Sequence, residues 1–147
     1  LVGGDVNTDM FEAVKATGTT TPLDFARRLK ALEGFVKLPA SANLTAAHKR
    51  IRNILKQTGT AGTAVHESYF EHEAERTLFA AMNALKLDGD YAQALSALAT
   101  LREPVDTFFA AVMVNADDAA VRANRLALLA RLDGLCRSVA DISLLPG

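Results

Sequence analysis

The sequence predicts an all-α fold, a bundle of about six or seven helices joined by short loops. Apolar residues recur at helical spacing through most of the chain, and no window alternates like a strand between hairpin turns. Helix-start signals recur along it, at Thr21-Pro22, at Asp90 with Gln93 and at Asp117-Asp118. Half of the 147 residues are apolar, enough for one domain to bury a core of its own. No fixed-period repeat is present, which argues against a solenoid.

Residues 9–16 form a short amphipathic piece with Met10, Phe11 and Val14 on its apolar side, closed by a Thr- and Gly-rich turn. Thr21 is placed to cap the next helix, Pro22 suits its first position and Asp24 its first turn. Phe25, Leu29, Leu32 and Val36 then give a buried stripe. Pro39 separates that helix from a basic one over residues 44–57, which runs into a flexible small-residue loop, TGTAGTA, at 58–64. Acids from Glu71 to Glu75 favour a helix start through the macrodipole, and Leu78, Ala81, Met82 and Leu85 carry that helix on. Asp88-Gly89-Asp90 reads as a turn, after which Tyr91, Ala94, Leu95, Leu98 and Leu101 share a face. Pro104 opens a helix with Val105, Phe108, Phe109 and Val112 inward. The longest helix is expected after Asp117-Asp118, with Val121, Leu128, Leu132, Leu135 and Val139 inward and Arg122, Arg125 and Arg131 interleaved. Residues 1–38 read as a helical lead-in to a domain spanning 39–147.

Composition narrows the function. With 16 basic and 17 acidic residues the net charge of -1 is uninformative, but its distribution is not. Residues 34–66 contain no acid and carry Lys37, Lys49, Arg50, Arg52 and Lys56, whereas Glu67, Glu71, Glu73 and Glu75 follow closely. Cys136 is the sole cysteine, so no intrachain disulfide can form and a reducing, cytosolic setting is expected, with the thiol buried and inert. The longest apolar run, residues 108–114, is far shorter than the roughly 20 residues a bilayer requires, so no membrane partner is expected. The chain begins at Leu1 with neither an initiating Met nor a signal-peptide pattern, and reads as a fragment of something longer.

Catalytic signatures are missing: there is no GxGxxG, GxxxxGK[ST] or GxSxG. His66-Glu67 resembles the start of HExxH, but Phe70 stands where the second His belongs. His66, Glu71, His72 and Glu73 are better explained as solvated polar residues than as metal ligands. Asp117 and Asp118 point about 100° apart on a helix and suit capping rather than acid–base work. No residue is a candidate catalyst. Stacking on an unpaired base is the alternative for Phe108-Phe109, but core packing accounts better for the pair, while Tyr69 and Phe70 are left unassigned.

Binding is where the residues point. Lys49, Arg52, Asn53 and Lys56 fall at i, i+3, i+4 and i+7 and share one helix face, while Leu44, Ala47, Ile51, Ile54 and Leu55 fall on another. A helix so patterned docks by its apolar side and offers cations and an amide outward to a polyanion. Lys49, Arg52 and Lys56 would hold phosphates, with Asn53 a candidate base reader because its amide both donates and accepts, and Arg50 beside them. Arg122 and Arg125 form a second possible patch. The bland alternative for all seven is a solvated helix face.

The stretch LTAAHKRIRNILKQ, followed by YAQALSALATLREPVDTFFAAVMVNADDAAVRANRLALLARLDGLCRSVADISLLP, resembles the C-terminal end of the β subunit of bacterial heterotetrameric glycyl-tRNA synthetases. PLDFARRLKAL just upstream fits the same family. The succession KRIxNIL, LxxLRxPVDxFFxxVMV, ADDxxxRxNRLxLL and VADISLL is far more specific than any one of these motifs. The resemblance implies a helical anticodon-binding domain of the DALR type, also similar to the one closing arginyl-tRNA synthetases. It further implies a glycine-specific tRNA as partner rather than DNA, an α subunit holding the aminoacylation site, and ATP and Mg bound elsewhere with no cofactor in this piece. Two departures stand out: His48, bordering the expected contact face, lies where the family tends to carry Asn, and Asn115 interrupts a run that tends to be apolar. The other class of function the sequence leaves open is a helical module docking on the α subunit or on the rest of the β subunit.

Overall fold

The computed structural model describes the backbone of residues 2–58 and 64–146, with side chains from residue 8 onward. Among these residues the chain is all-α: α1 Val2–Lys15, α2 Pro22–Phe35, α3 Ser41–Thr58, α4 Glu73–Ala84, α5 Tyr91–Ala99, α6 Arg102–Ala111 and α7 Ala119–Cys136. Short 3-10 turns stand at Glu67–Tyr69 and Ile142–Leu144. The small-residue loop expected at 58–64 lies, over 59–63, outside the described residues.

Most helix starts are capped as their chemistry requires. The Thr21 hydroxyl accepts from the Asp24 N–H at 3.2 Å with Pro22 in the first turn. Asp90 and Gln93 cap α5 reciprocally, and the Asp118 carboxylate accepts from the N–H groups of Ala120 and Val121 at the head of α7. The cap of α4 was not foreseen. His72 Nδ1 accepts from the Ala74 N–H at 3.0 Å while the Glu75 carboxylate accepts from the His72 and Glu71 N–H groups, so an imidazole fills the place a hydroxyl usually takes.

Three sequence-based boundaries shift. α1 reaches back to Val2 rather than starting at residue 9, and Gly18, with φ +77°, closes its turn in the left-handed region open to glycine. α6 begins at Arg102, two residues before Pro104, because the first-turn N–H groups that proline lacks have no helical acceptor anyway. α7 is not uniquely long, since α3 has the same 18 residues, and Val139 is buried in the segment after α7 rather than on the helix itself.

One continuous core links these elements, with Leu32, Phe35, Leu44, Ile51, Leu78, Leu98, Phe108 and Leu128 almost wholly removed from water. Met10, Ala13 and Val14 of α1 join that core, α2 packs along α5, and α3 packs against α7 and the second 3-10 turn. Phe11, expected on the buried side, is 48 % exposed and stacks on Phe25 at 4.8 Å between ring centres. Cys136 is buried, and desolvation together with the Asp133 and Asp141 carboxylates pushes its thiol far up, which makes it inert. No described helix is long and apolar enough to cross a membrane.

The segment after α7 acts as a strap. The Asp141 N–H donates to the Ala13 carbonyl of α1 at 2.9 Å, and Arg28 of α2 donates to the carbonyls of Ser138 and Val139. Arg28 is itself steered by Asp24, which also accepts from the Thr19 and Tyr91 hydroxyls. Those three donors hold the Asp24 carboxyl well below the usual range. Backbone groups that no helix satisfies are thus met by a backbone carbonyl of α1 and the Arg28 side chain of α2.

Candidate nucleic-acid interface

α3 lies across α7 by its apolar side and turns most of its cations outward, as the helical spacing requires. Arg50, Arg52, Asn53 and Lys56 are exposed. Arg52 keeps a loose contact of 3.5 Å with Asp133, and its side chain remains 45 % exposed. Asp133 itself is buried and has a closer partner in His48, so at 3.5 Å Arg52 is only loosely held and its guanidinium remains open to a phosphate. Arg50 lays its guanidinium over the Phe109 ring, 4.4 Å from the centre.

Lys49 departs from its expected role. Its side chain is half-buried, and the ammonium donates to the carbonyls of Ser143 and Leu145, holding the strap against α3. His48 departs further: it is fully buried beneath the face it was expected to border, 2.7 Å from Asp133 through Nε2, with Nδ1 3.7 Å from Asp141. Burial raises the Asp133 carboxyl, but the His48 hydrogen bond and the charges of Arg137, His48 and Arg52 outweigh it, so the net shift is downward and the group is an anion. An ionised carboxylate only accepts, which assigns the Nε2 hydrogen to His48.

Arg122 and Arg125 do not form a second open patch. Arg125 is 7 % exposed and donates to Glu75 through Nε and Nη2, at 3.2 Å each, and to the Met113 carbonyl at 2.6 Å. Glu75 is likewise sealed from water rather than part of an acidic surface; burial raises its carboxyl, but Arg125 and the N–H groups of Glu71 and His72 more than reverse this and leave it lowered. The physical reason is that an isolated buried charge is untenable, so each of the two was placed where it finds the other. Arg122 is half-buried and donates to the Ala116 carbonyl at 2.8 Å, with the Asp117 carbonyl at 3.4 Å. Both arginines therefore clamp the link between α6 and α7.

The clamped link forms one wall of a groove of about 550 Å³ whose other side is the C-terminal half of α3. Ile54, Phe109, Val112 and Leu126 give it an apolar interior, and Arg50, Gln57, Asn115 and Arg122 stand among its polar lining. Met113, at 75 % exposure, is the most exposed large apolar side chain among the described residues. Sequence reading passed over Gln57, Met113 and Asn115 as site residues; a Met and an Asn in an otherwise apolar FFAAVMVN run were the available signal. Phe108 is core, as its spacing suggests, whereas Phe109 is half-buried at this groove. Phe70 packs edge-on against Phe79 in the interior, and Tyr69 stays at the surface beside His66. Among the described residues no cluster of three or more His, Cys, Asp or Glu could hold a metal.

Residues 44–138 match the model of the DALR anticodon binding domain family, a span that runs from the first turn of α3 through α7. The chain belongs to that family. This DALR domain is also similar over 94 % of the chain, at 52 % identity, to a glycine–tRNA ligase beta subunit of Marinobacter nauticus. It is 49 % identical over 92 % of the chain to the corresponding subunit of Ectopseudomonas mendocina, and 46 % identical over 97 % to that of Acinetobacter baumannii. The chain spans only about a fifth of the length of these relatives, 21 to 22 %. Its DALR region is flanked by α1 and α2, outside the family match, and by the strap, which lies beyond it from residue 139; all are packed on the same core.

Proposed function

We propose that this chain is the anticodon-binding part of a glycine–tRNA ligase β subunit and binds the anticodon arm of a glycine-accepting tRNA. The carrying observation is the solvent side of α3, where Arg52, Asn53 and Lys56 are exposed and Arg50 is exposed at the groove it lines with Arg122. Cations hold the phosphates of a loop while its unstacked bases meet amides and aromatic rings. Asn53 offers the donor and acceptor a base edge needs. Lys49 and Arg125 leave the contact set because their donors serve the strap and Glu75. In the whole ligase the chain would support ATP-dependent glycyl-tRNA formation in the cytoplasm, with ATP and Mg bound elsewhere and the aminoacylation site on the α subunit. Residues 1–38 would be the lead-in that fastens this domain to the rest of the β subunit.

Filter binding of glycine tRNA with and without its anticodon stem tests the reading. Affinity should fall with salt at a log-log slope of about -2 to -3, as expected for three or four neutralised phosphates on an unpaired strand. Equal binding of both RNAs, or binding indifferent to salt, would count against it.

A second reading is favoured by one surface. Phe11, 48 % exposed, lines an apolar hollow of about 400 Å³ with Pro22, Phe25, Ala26 and Leu29, and Leu23, next to Pro22 on α2, is 61 % exposed. A protein-docking role for this α1–α2 face, on the α subunit or the body of the β subunit, is compatible with RNA binding at α3. Pull-down of the α subunit by the chain, abolished in Leu23→Asp and indifferent to tRNA, would support it.

A further inference from the structure

From the groove between α3 and the α6–α7 link we infer a slot for one unpaired nucleobase, in which Asn115 and Gln57 read the base edge and the Arg50–Phe109 stack and Met113 grip its faces. The inference rests on the reading that α3 meets RNA, and it adds the α6–α7 link as a second element and a second base-reading position besides that of Asn53. The volume, about 550 Å³, lies within the range of small-molecule sites, and the interior is apolar enough to hold a flat ring. Arg50 covers one face of Phe109 at 4.4 Å, a guanidinium plane of the kind on which unstacked bases lie. Charge complementarity selects the occupant: the groove's cations, Arg50 and Arg122, suit the phosphates on either side of a flipped base, while Asp117 lies just beyond in the link and turns its carbonyl to Arg122. An apolar peptide would leave both cations and both amides unused.

The slot is preformed. Arg125 fixes the Met113 carbonyl from below, at 2.6 Å, and is itself held by Glu75, so Met113 is turned to the surface although a methionine ordinarily seeks the interior. Arg122 fixes the link again at Ala116. A wall tethered from both sides loses little freedom on binding, which is what a reader of a single base requires.

The test uses the chain with a glycine-tRNA anticodon stem-loop and a set in which each loop base in turn is replaced by an abasic ribose. For the unaltered chain, one position should cost roughly 5- to 100-fold in affinity, the range of one base stacked on a side-chain platform. In Asn115→Ala and in Met113→Ala that same position should become nearly indifferent, while the salt slope stays as it was. Both side chains are exposed, and matching thermal melts would exclude misfolding. Overturning outcomes are a cost spread evenly over the loop, or a sensitive position that survives in both variants. In either case, retained salt-dependent binding would leave the role of α3 standing and remove the slot alone. Loss of binding by the unaltered chain to every RNA would remove both.

Discussion

The two halves of α3 carry similar side chains on the same helix face and put them to different uses. At Lys49 the face meets the strap, and the ammonium is taken up by the carbonyls of Ser143 and Leu145; seven residues on, Lys56 stands exposed. Helical geometry places the two lysines in line. What separates them is where the chain end crosses α3, bringing backbone carbonyls that need donors to one lysine and not to the other. α7 shows the same division, because Arg125 is drawn inward to Glu75 and Met113 while Arg131 reaches out to Asn83 at 2.7 Å. How far a cation near a surface is available for RNA thus depends on how completely buried carboxylates and unsatisfied carbonyls take up its donors.

The sharpest way to break this comparison is at the buried pair. Arg125→Leu should destabilise the chain by about 3 to 5 kcal/mol, because Glu75 is left charged and sealed from water. Adding Glu75→Leu should recover most of that loss, and urea unfolding of the single and double variants measures it. Lys49→Met should cost about 1 to 3 kcal/mol by stranding the strap carbonyls, and should leave the salt slope of RNA binding unaltered. An altered slope would return Lys49 to the contact face.

Acid should reveal the inner half of the comparison next. Glu75 and Asp133 are both lowered in the folded chain from ordinary values of 4.5 and 3.8, so each stabilises the fold fully above those values. As pH falls below them the unfolded chain takes up protons first, and the contribution is lost as pH descends through the folded values. Denaturation midpoints should therefore be flat near neutrality and fall below about pH 4.5, less steeply in Glu75→Gln. The smallest effect belongs to Lys56→Met, which should leave stability within about 0.5 kcal/mol. Its signature is a salt slope about 0.7 shallower, one phosphate contact fewer on an unpaired strand.

The placement of α2 by Thr21-Pro22, of α5 by Asp90 with Gln93 and of α7 by Asp118 was legible because capping and periodicity are local chemistry within a few residues of chain. The exposure of Arg52, Asn53 and Lys56 followed from the same spacing, as did the burial of Cys136 and Phe108. The fates of His48, Lys49 and Arg125 were not legible, since their partners lie 85, 94 and 50 residues away in the chain. Nor was the groove, whose walls come from α3 and from a link that only the folded bundle sets beside it. Helices and their outward faces are decided by neighbours three or four residues apart, and the sequence displays those directly. Which charges remain free for RNA is decided by desolvation and by who stands opposite, and that is settled only when distant segments are packed against one another.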